Sequence, residues 1–309
     1  MLKKMSLRKI AVTSVSLFLV AIIYLFPSND KLNINKSISY VDEEDFEVVY
    51  LIDKNNYVSE VSIALDNDVF EEKLKEKLEI LTDNKKSDKL PKGFKSVIPG
   101  NTKVLSLEVK DDIVTVDFSK ELLSVSSMDE EKLIEAIVYT LTEEESISKV
   151  IIKVEGKVLE RLPNSNKLLP NVLDRTYGIN KNYDINNLYN LTKTTIYYSG
   201  EEDGIKYYVP VTKITNNNDE KVTVIVNELK SSLLYQSNLS SYLSNKAQLK
   251  KYELEEEVMN LTFNDKIFDS IYDKNILEEV VYTIGKSIKE NYNVKSVVFY
   301  VDDDEITSF

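Results

Sequence analysis

The chain has 309 residues, of which 42% are apolar and 29% are charged, a composition typical of a globular protein long enough for two domains. It contains no His and no Cys, which excludes disulfides, thiolate nucleophiles, Cys/His zinc sites and Ser-His-Asp triads. The net charge is −13, and because an acidic surface repels phosphate backbones, nucleic acid is not expected as a partner.

Residues 10–26 form an uncharged apolar run that follows four basic residues, Lys3, Lys4, Arg8 and Lys9. As a helix this run would span about 26 Å, just enough to cross a bilayer. The basic residues favour a cytoplasmic N-terminus at residues 1–9 and an extracytoplasmic location for the bulk of the chain. No small-x-small cleavage site follows the run, so a retained single-pass transmembrane anchor is favoured over a cleaved signal peptide; a buried globular helix is the third interpretation.

Residues 27–44 are polar and are predicted to form a tether to a first domain at residues 45–156. Alternating and amphipathic patterns predict two strands, a helix, two more strands, a second helix and a last strand in that domain. In chain order these elements are expected at residues 46–52, 57–65, 69–81, 104–109, 113–118, 127–141 and 150–154. Ser127 is expected to cap the second helix, with Glu130 bonding back to the cap.

An internal duplication extends this pattern to the rest of the chain. Residues 134–141 (IEAIVYTL) return as residues 277–284 (LEEVVYTI), an offset of 143, and the same offset places residues 116–119 (VDFS) on 259–262 (MNLT). The shared positions are mostly apolar, and a repeated packing pattern favours two copies of one scaffold over a repeated catalytic site.

The second copy is predicted at residues 194–309, after a partly ordered linker at residues 157–193. Its strands are expected at 194–198, 206–215 and 296–301, with one helix at 222–234 and a later helix that carries the repeated apolar stripe. The last strand lies four residues beyond the position that the offset predicts. The predicted fold class is α+β, with each copy a small β-sheet that has two helices packed on one face.

Four segments of the first copy together resemble the GerM domain of sporulation and spore germination. They are GFKSVIPGNT at 93–102, VTVDFS at 114–119, AIVYTL at 136–141 and VIIKVEG at 150–156. The resemblance implies tandem domains with a ring-building-motif-like fold behind a membrane segment. Members of that family can be lipoproteins, but this chain has no Cys to carry a lipid, so its N-terminal helix is expected to be the anchor.

The resemblance also implies a function. Such a protein would be a non-enzymatic sporulation protein at the cell membrane, with its bulk in the space between mother cell and forespore. It would help assemble or hold a protein complex there through protein–protein interaction. Other sporulation envelope or channel proteins are the implied partners, and a ring or homo-oligomer is a further expectation.

The sequence predicts no catalytic residue, no metal or cofactor site, and no particular partner-binding residue. Asp117, at a strand end beside Ser119, is the most tempting acid, but the offset pairs it with Asn260, which favours a structural role. Glu135 and Glu278 correspond at the same offset and are expected on solvated helix faces.

Two Tyr-Thr pairs and two acidic stretches are further candidates for binding. The pairs Tyr139-Thr140 and Tyr282-Thr283 are expected in the core or at its rim. The acidic stretches at 66–68 and 302–305 lack the ligand spacing and glycine turn of a calcium loop. The alternative function, from another class, is a peptidoglycan hydrolase or glycan-binding module that uses paired carboxylates and tyrosine platforms.

Overall fold

The computed structural model describes residues 46–231, 238–270 and 274–309. The predicted anchor at residues 10–26 and the tether at 27–44 lie outside these residues. In the part of the chain that is described, no helix is both long and apolar enough to cross a membrane.

The first copy contains every strand and helix predicted for it. These elements are β1 (Phe46–Ile52), β2 (Val58–Ala64), α1 (Phe70–Ile80), β3 (Val104–Lys110), β4 (Ile113–Phe118), α2 (Glu130–Leu141) and β5 (Lys149–Val154), followed by the short β6 (Lys157–Val158). The segment predicted as a linker carries β6, a 3-10 turn at Arg175–Tyr177 and β7 (Asn182–Asp184).

The second copy repeats the same order of elements. They are β8 (Thr192–Glu202), β9 (Ile205–Thr215), α3 (Lys221–Leu229), β10 (Leu249–Glu255), β11 (Val258–Phe263), α4 (Glu278–Asn291), β12 (Ser296–Val301) and β13 (Asp304–Ser308). The helix predicted at 222–234 ends at Leu229, and residues 232–237 lie outside the described residues.

Each copy builds a four-stranded sheet, in the order β3-β4-β5-β6 in the first copy and β10-β11-β12-β13 in the second. The two central strands are parallel and both outer pairs are antiparallel. Alternate residues of β4 and β11 are buried, because successive side chains of a strand point to opposite faces. The helix α2 contacts β5, and α4 contacts β12.

The first two strands of each copy do not belong to these sheets. The hairpins β1–β2 and β8–β9 together form a third sheet. Its order is β1-β2-β9-β7, with β8 also paired to β9. Because β2 and β9 are equivalent strands that meet antiparallel, at Glu60 and Tyr208, the two copies are related by an approximate twofold axis. The prediction of one sheet per copy was wrong on this point, since each hairpin covers the open edge of the other.

The predicted offset of 143 residues is also wrong. The strands β5 and β12 lie 147 residues apart, and β4 and β11 lie 145 apart. The hydroxyls of Thr140 and Ser287 accept the amide protons of Tyr50 and Tyr197, at 2.9 and 2.8 Å, and both pairs are 147 apart. A slip of four residues in a helix, or of two in a strand, keeps the apolar positions on the same face, so the apolar pattern alone could not fix the register.

The predicted capping box at the start of α2 does not form. Asp129 is the N-cap and makes no side-chain cap bond. The Glu130 carboxylate instead accepts the backbone N–H groups of Asn164 and Ser165, at 2.8 and 3.1 Å. Glu130 therefore holds the segment between the two copies, residues 157–193, against the helix. We refer to it below as the connecting segment.

Candidate functional site at the junction of the two copies

Two equivalent tyrosines meet near the approximate twofold axis. Tyr50 on β1 and Tyr197 on β8 are fully buried, and their hydroxyl oxygens lie 3.2 Å apart. Both side chains leave apolar strands, and a buried tyrosine hydroxyl needs a polar partner. Each hydroxyl is a polar partner for the other, so the two copies contact one another through equivalent tyrosines.

Arg175, from the connecting segment, binds an equivalent carboxylate of each copy. Its Nη2 lies 2.5 Å from Oε2 of Glu143, which follows α2, and its Nη1 lies 2.7 Å from Oε2 of Glu290 in α4. The guanidinium carbon also lies 4.7 Å from the ring centroid of Tyr139, a favourable position for a cation. The planar guanidinium presents its N–H donors in a fixed fork, so one side chain can donate to both carboxylates.

A second cation and a third carboxylate complete the cluster. Lys286 Nζ lies 2.5 Å from Glu143 Oε1 and 3.6 Å from Glu60 Oε2. Glu60 also accepts hydrogen bonds from the hydroxyls of Tyr282 and Tyr50. We refer below to Tyr50, Glu60, Glu143, Arg175, Tyr197, Lys286 and Glu290 as the junction cluster.

The pKa values of two carboxyl groups in the junction cluster, Glu143 and Glu60, shift in opposite directions. Burial alone would raise the pKa of Glu143, but Arg175 and Lys286 outweigh it and lower that pKa to about 2. Burial raises the pKa of Glu60 above its ordinary value, although Lys286 opposes the rise. Of these two carboxyl groups, Glu60 therefore takes up a proton at the higher pH.

The tip of the β8–β9 hairpin forms a second contact between the copies. Gly200 lies directly opposite Tyr207 in the hairpin, and a Cβ at position 200 would lie 2.5 Å from the Tyr207 ring. The ring therefore covers the glycine, and its hydroxyl donates to Oδ2 of Asp53 in the first copy at 2.9 Å. Two ion pairs, Lys54 with Glu202 and Lys92 with Asp203, lie at the same tip.

Asp117 and Ser119 lie away from this junction. Both carboxylate oxygens of Asp117 accept the N–H of Gly156 at 3.0 Å, and the Ser119 hydroxyl accepts the N–H of Lys103 at 3.0 Å. Asp117 therefore holds the turn between β5 and β6, and Ser119 holds the entry to β3.

Glu135 does not lie on a solvated face, so that prediction was wrong. Its carboxylate is buried, 2.7 Å from Lys181 Nζ, and accepts the N–H of Asn180 at 3.0 Å. The connecting segment folds over the polar side of α2 and shields it from solvent. Glu278 is exposed, and at the offset of 147 it does not correspond to Glu135. Tyr139 is fully buried, as predicted for a core residue.

Sequence reasoning missed the residues that the junction brings together. Arg175 and Glu143 lie outside the predicted strands and helices, and Tyr50 and Tyr197 read as ordinary strand residues. One signal was present, because the chain has only three arginines among its 39 basic residues, and arginine is the preferred residue for buried ion pairs.

The acidic stretch at 302–305 begins in the turn between β12 and β13 and continues into β13. Among the described residues, no group of three or more Asp or Glu side chains is arranged to hold a metal ion.

Comparison with known proteins matches both copies to one family. The sporulation and spore germination family (Germane) matches residues 48–160 and again residues 195–307. Spore germination protein GerM of Bacillus subtilis (strain 168) is 34% identical over 255 residues, which cover 81% of this chain and 69% of that protein. The solved structure of the tandem GerMN domains of the Bacillus subtilis sporulation protein GerM is 32% identical, with a TM-score of 0.76 over 84% of this chain and 91% of that one. The chain therefore belongs to the sporulation and spore germination family, with two GerMN domains in tandem.

Proposed function

We propose that this protein is a non-enzymatic, membrane-anchored sporulation protein. In this proposal it helps assemble or hold a protein complex in the space between mother cell and forespore. Family membership supports the sporulation role. The observation that carries the scaffold role is the junction cluster, whose ionised groups bind one another and join the two copies.

The junction cluster is better suited to holding the two copies together than to transferring a proton to or from a substrate. Each of its carboxylates already has a cation or a tyrosine hydroxyl within hydrogen-bond distance. A general acid or base must instead reach a substrate atom. Residues 46–309 form one compact unit, which suits a role in holding other proteins.

The membrane anchor is part of the same proposal. Residues 10–26 would span the bilayer with the four basic residues on the cytoplasmic side, and residues 27–44 would tether the two domains. In each copy the β-β-α-β-β part, from β3 to β6 and from β10 to β13, would present a ring-building-motif-like domain to its neighbours. Carbonate extraction of sporulating cells should leave the full-length chain in the membrane pellet, and a shortened chain in the supernatant would contradict the anchor.

Affinity isolation tests the scaffold role. A tagged chain expressed at its native level in sporulating cells, and crosslinked before lysis, should recover envelope or channel proteins made during sporulation. Arg175→Ala, which weakens the junction, should reduce that recovery, whereas Arg161→Ala should not, because the Arg161 side chain is exposed and, among the described residues, bonds only the carbonyl of Asn166. Recovery of no envelope or channel protein would contradict the proposal. Release of soluble fragments from peptidoglycan by the purified chain would favour the hydrolase instead.

A further inference from the structure

The connecting segment carries a charge opposite to that of the rest of the chain. Residues 157–193 hold six basic and three acidic residues, a balance of +3 in a chain whose net charge is −13. The remainder of the chain therefore carries −16. Three of the six cations, Lys167, Arg175 and Lys181, pair with glutamates outside the segment, and the remaining ones can attract an acidic partner as it approaches.

The same segment exposes an unusual share of apolar surface. Sixteen large apolar side chains are exposed in the described part of the chain, and six of them fall within 24 consecutive residues, 168–191. They are Leu168, Val172, Tyr183, Leu188, Tyr189 and Leu191. Clustered exposed apolar residues on a folded protein mark a site of interaction.

Three of these side chains line one open cleft. Val172, Tyr183 and Leu191 surround a space of about 390 Å³ whose floor includes the buried Leu173 and Ile214. We call this space the linker cleft. Its apolar floor and walls can take up an apolar side chain of a bound molecule.

Lysines line the same cleft. Lys167, Lys181 and Lys193 line it together with Asp174, whose carboxylate is bonded to the N–H of Thr176 at 2.8 Å. Lys167 already pairs with Glu131, and Lys181 with Glu135, so Lys193 is the lysine of the cleft that a ligand carboxylate can bind. Lys193 is exposed and donates to the Thr176 carbonyl at 2.8 Å, and within the described residues it has no acidic partner. Partial burial lowers the pKa of Lys193, and nearby Lys181 lowers it further. A bound carboxylate would relieve this repulsion.

The strand β7, which contains Tyr183, offers backbone groups beside the cleft. All three of its residues are exposed, and it pairs in parallel with β9. Its other edge pairs with no strand in the described part of the chain. An extended peptide can add to such an edge through main-chain hydrogen bonds.

We propose that the linker cleft and the edge of β7 bind an extended segment of a partner protein, in which an apolar side chain is flanked by Asp or Glu carboxylates. The apolar side chain enters between Val172, Tyr183 and Leu191, and a carboxylate binds Lys193. The proposal rests on the scaffold role and adds a surface and a partner chemistry to it.

Site-specific photocrosslinking in sporulating cells tests this surface. The full-length chain carries p-benzoylphenylalanine in place of Tyr183, which is 55% exposed, or, as the matched control, in place of Tyr252 on β10, which is 37% exposed. Irradiation should give one protein adduct at position 183, and mass spectrometry of the joined peptide should show an acidic segment with an apolar residue. Position 252 should give at least tenfold less of that adduct.

Charge reversal supplies the second arm. Lys193→Glu in the position-183 chain should reduce the adduct at least tenfold. Lys120→Glu, which changes an exposed lysine outside the cleft, should leave it within twofold. The inference is overturned by a basic or neutral joined peptide, by an adduct that lysozyme removes, by no adduct at all, or by equal loss with both substitutions. If affinity isolation recovers envelope proteins while position 183 gives no adduct, the scaffold role stands and only this surface fails.

Discussion

Removal of Arg175 should weaken the whole compact unit, because it leaves a buried carboxylate without a cation. Glu143 keeps Lys286 at 2.5 Å when the arginine is lost. Within the described part of the chain, Glu290, whose side chain is 6% exposed, then keeps only the Tyr197 hydroxyl at 3.4 Å. Breaking a buried ion pair from one side costs about 3–5 kcal/mol. We expect the lower end, about 3 kcal/mol, for Arg175→Ala, since one of the two carboxylates stays paired.

Thermal unfolding followed by circular dichroism at pH 7 measures this cost. For a unit of this size, about 3 kcal/mol lowers Tm by about 6 °C. The matched control is Arg161→Ala, which should change stability by less than about 0.5 kcal/mol, as is usual for surface sites. A further substitution, Glu290→Gln, removes the stranded charge, so the double variant should recover at least half of the loss.

Two results would refute this reasoning. The first is an Arg175→Ala variant with the same Tm as Arg161→Ala, since the junction ion pairs would then contribute nothing to stability. The second is a double variant no more stable than Arg175→Ala alone. In that case the loss would come from the packing of the arginine on Tyr139 and not from an unpaired charge.

Three further predictions test other parts of the unit. Because the folded pKa of Glu143 is about 2 against an ordinary value of 4.5, its contribution is complete above pH 4.5 and is lost as the pH falls towards 2. In urea unfolding at pH 7, 4.5 and 3, the parent should lose about 2 kcal/mol more stability between pH 7 and pH 3 than Glu143→Gln does, and an equal loss in that variant would contradict the assignment. Gly200→Ala should displace the Tyr207 ring and cost about 1–3 kcal/mol, measured by urea unfolding; a variant as stable as the parent would show that the ring does not need the glycine. Asp117→Asn should cost about 1 kcal/mol and speed amide hydrogen exchange at Gly156, whereas unchanged exchange there would mean that the carboxylate does not hold that turn.

Local patterns were sufficient to predict most of the elements, because each depends on residues close together in sequence. The hairpin β1–β2 and the helix α2 were predicted from alternation and from an apolar stripe, and both are present. The strand β10 was not predicted. Six of its seven residues are exposed, so it lacks the alternation by which a half-buried strand is recognised.

The junction could not be predicted in this way, because its contacts join residues far apart in the chain. Tyr50 bonds Thr140 across 90 residues, and its hydroxyl meets that of Tyr197 across 147. Glu135 shows the same difficulty on a single helix. A glutamate opposite an apolar stripe indicates a solvated face, and nothing near it in sequence shows that Lys181 and the connecting segment will cover it.

The approximate symmetry explains why the connecting segment takes part in the junction. Two equivalent copies that meet around a twofold axis bring equivalent residues together, so Glu143 of one copy faces towards Glu290 of the other, and like charges repel. If each copy supplied its own cation, two equivalent cations would lie near the axis, and these like charges would also repel each other. A single arginine from the segment between the copies occurs once, lies between the two carboxylates and pairs with both. This arrangement requires the copies and their connection to be one chain, which is a physical reason for a tandem protein in place of a dimer of single domains.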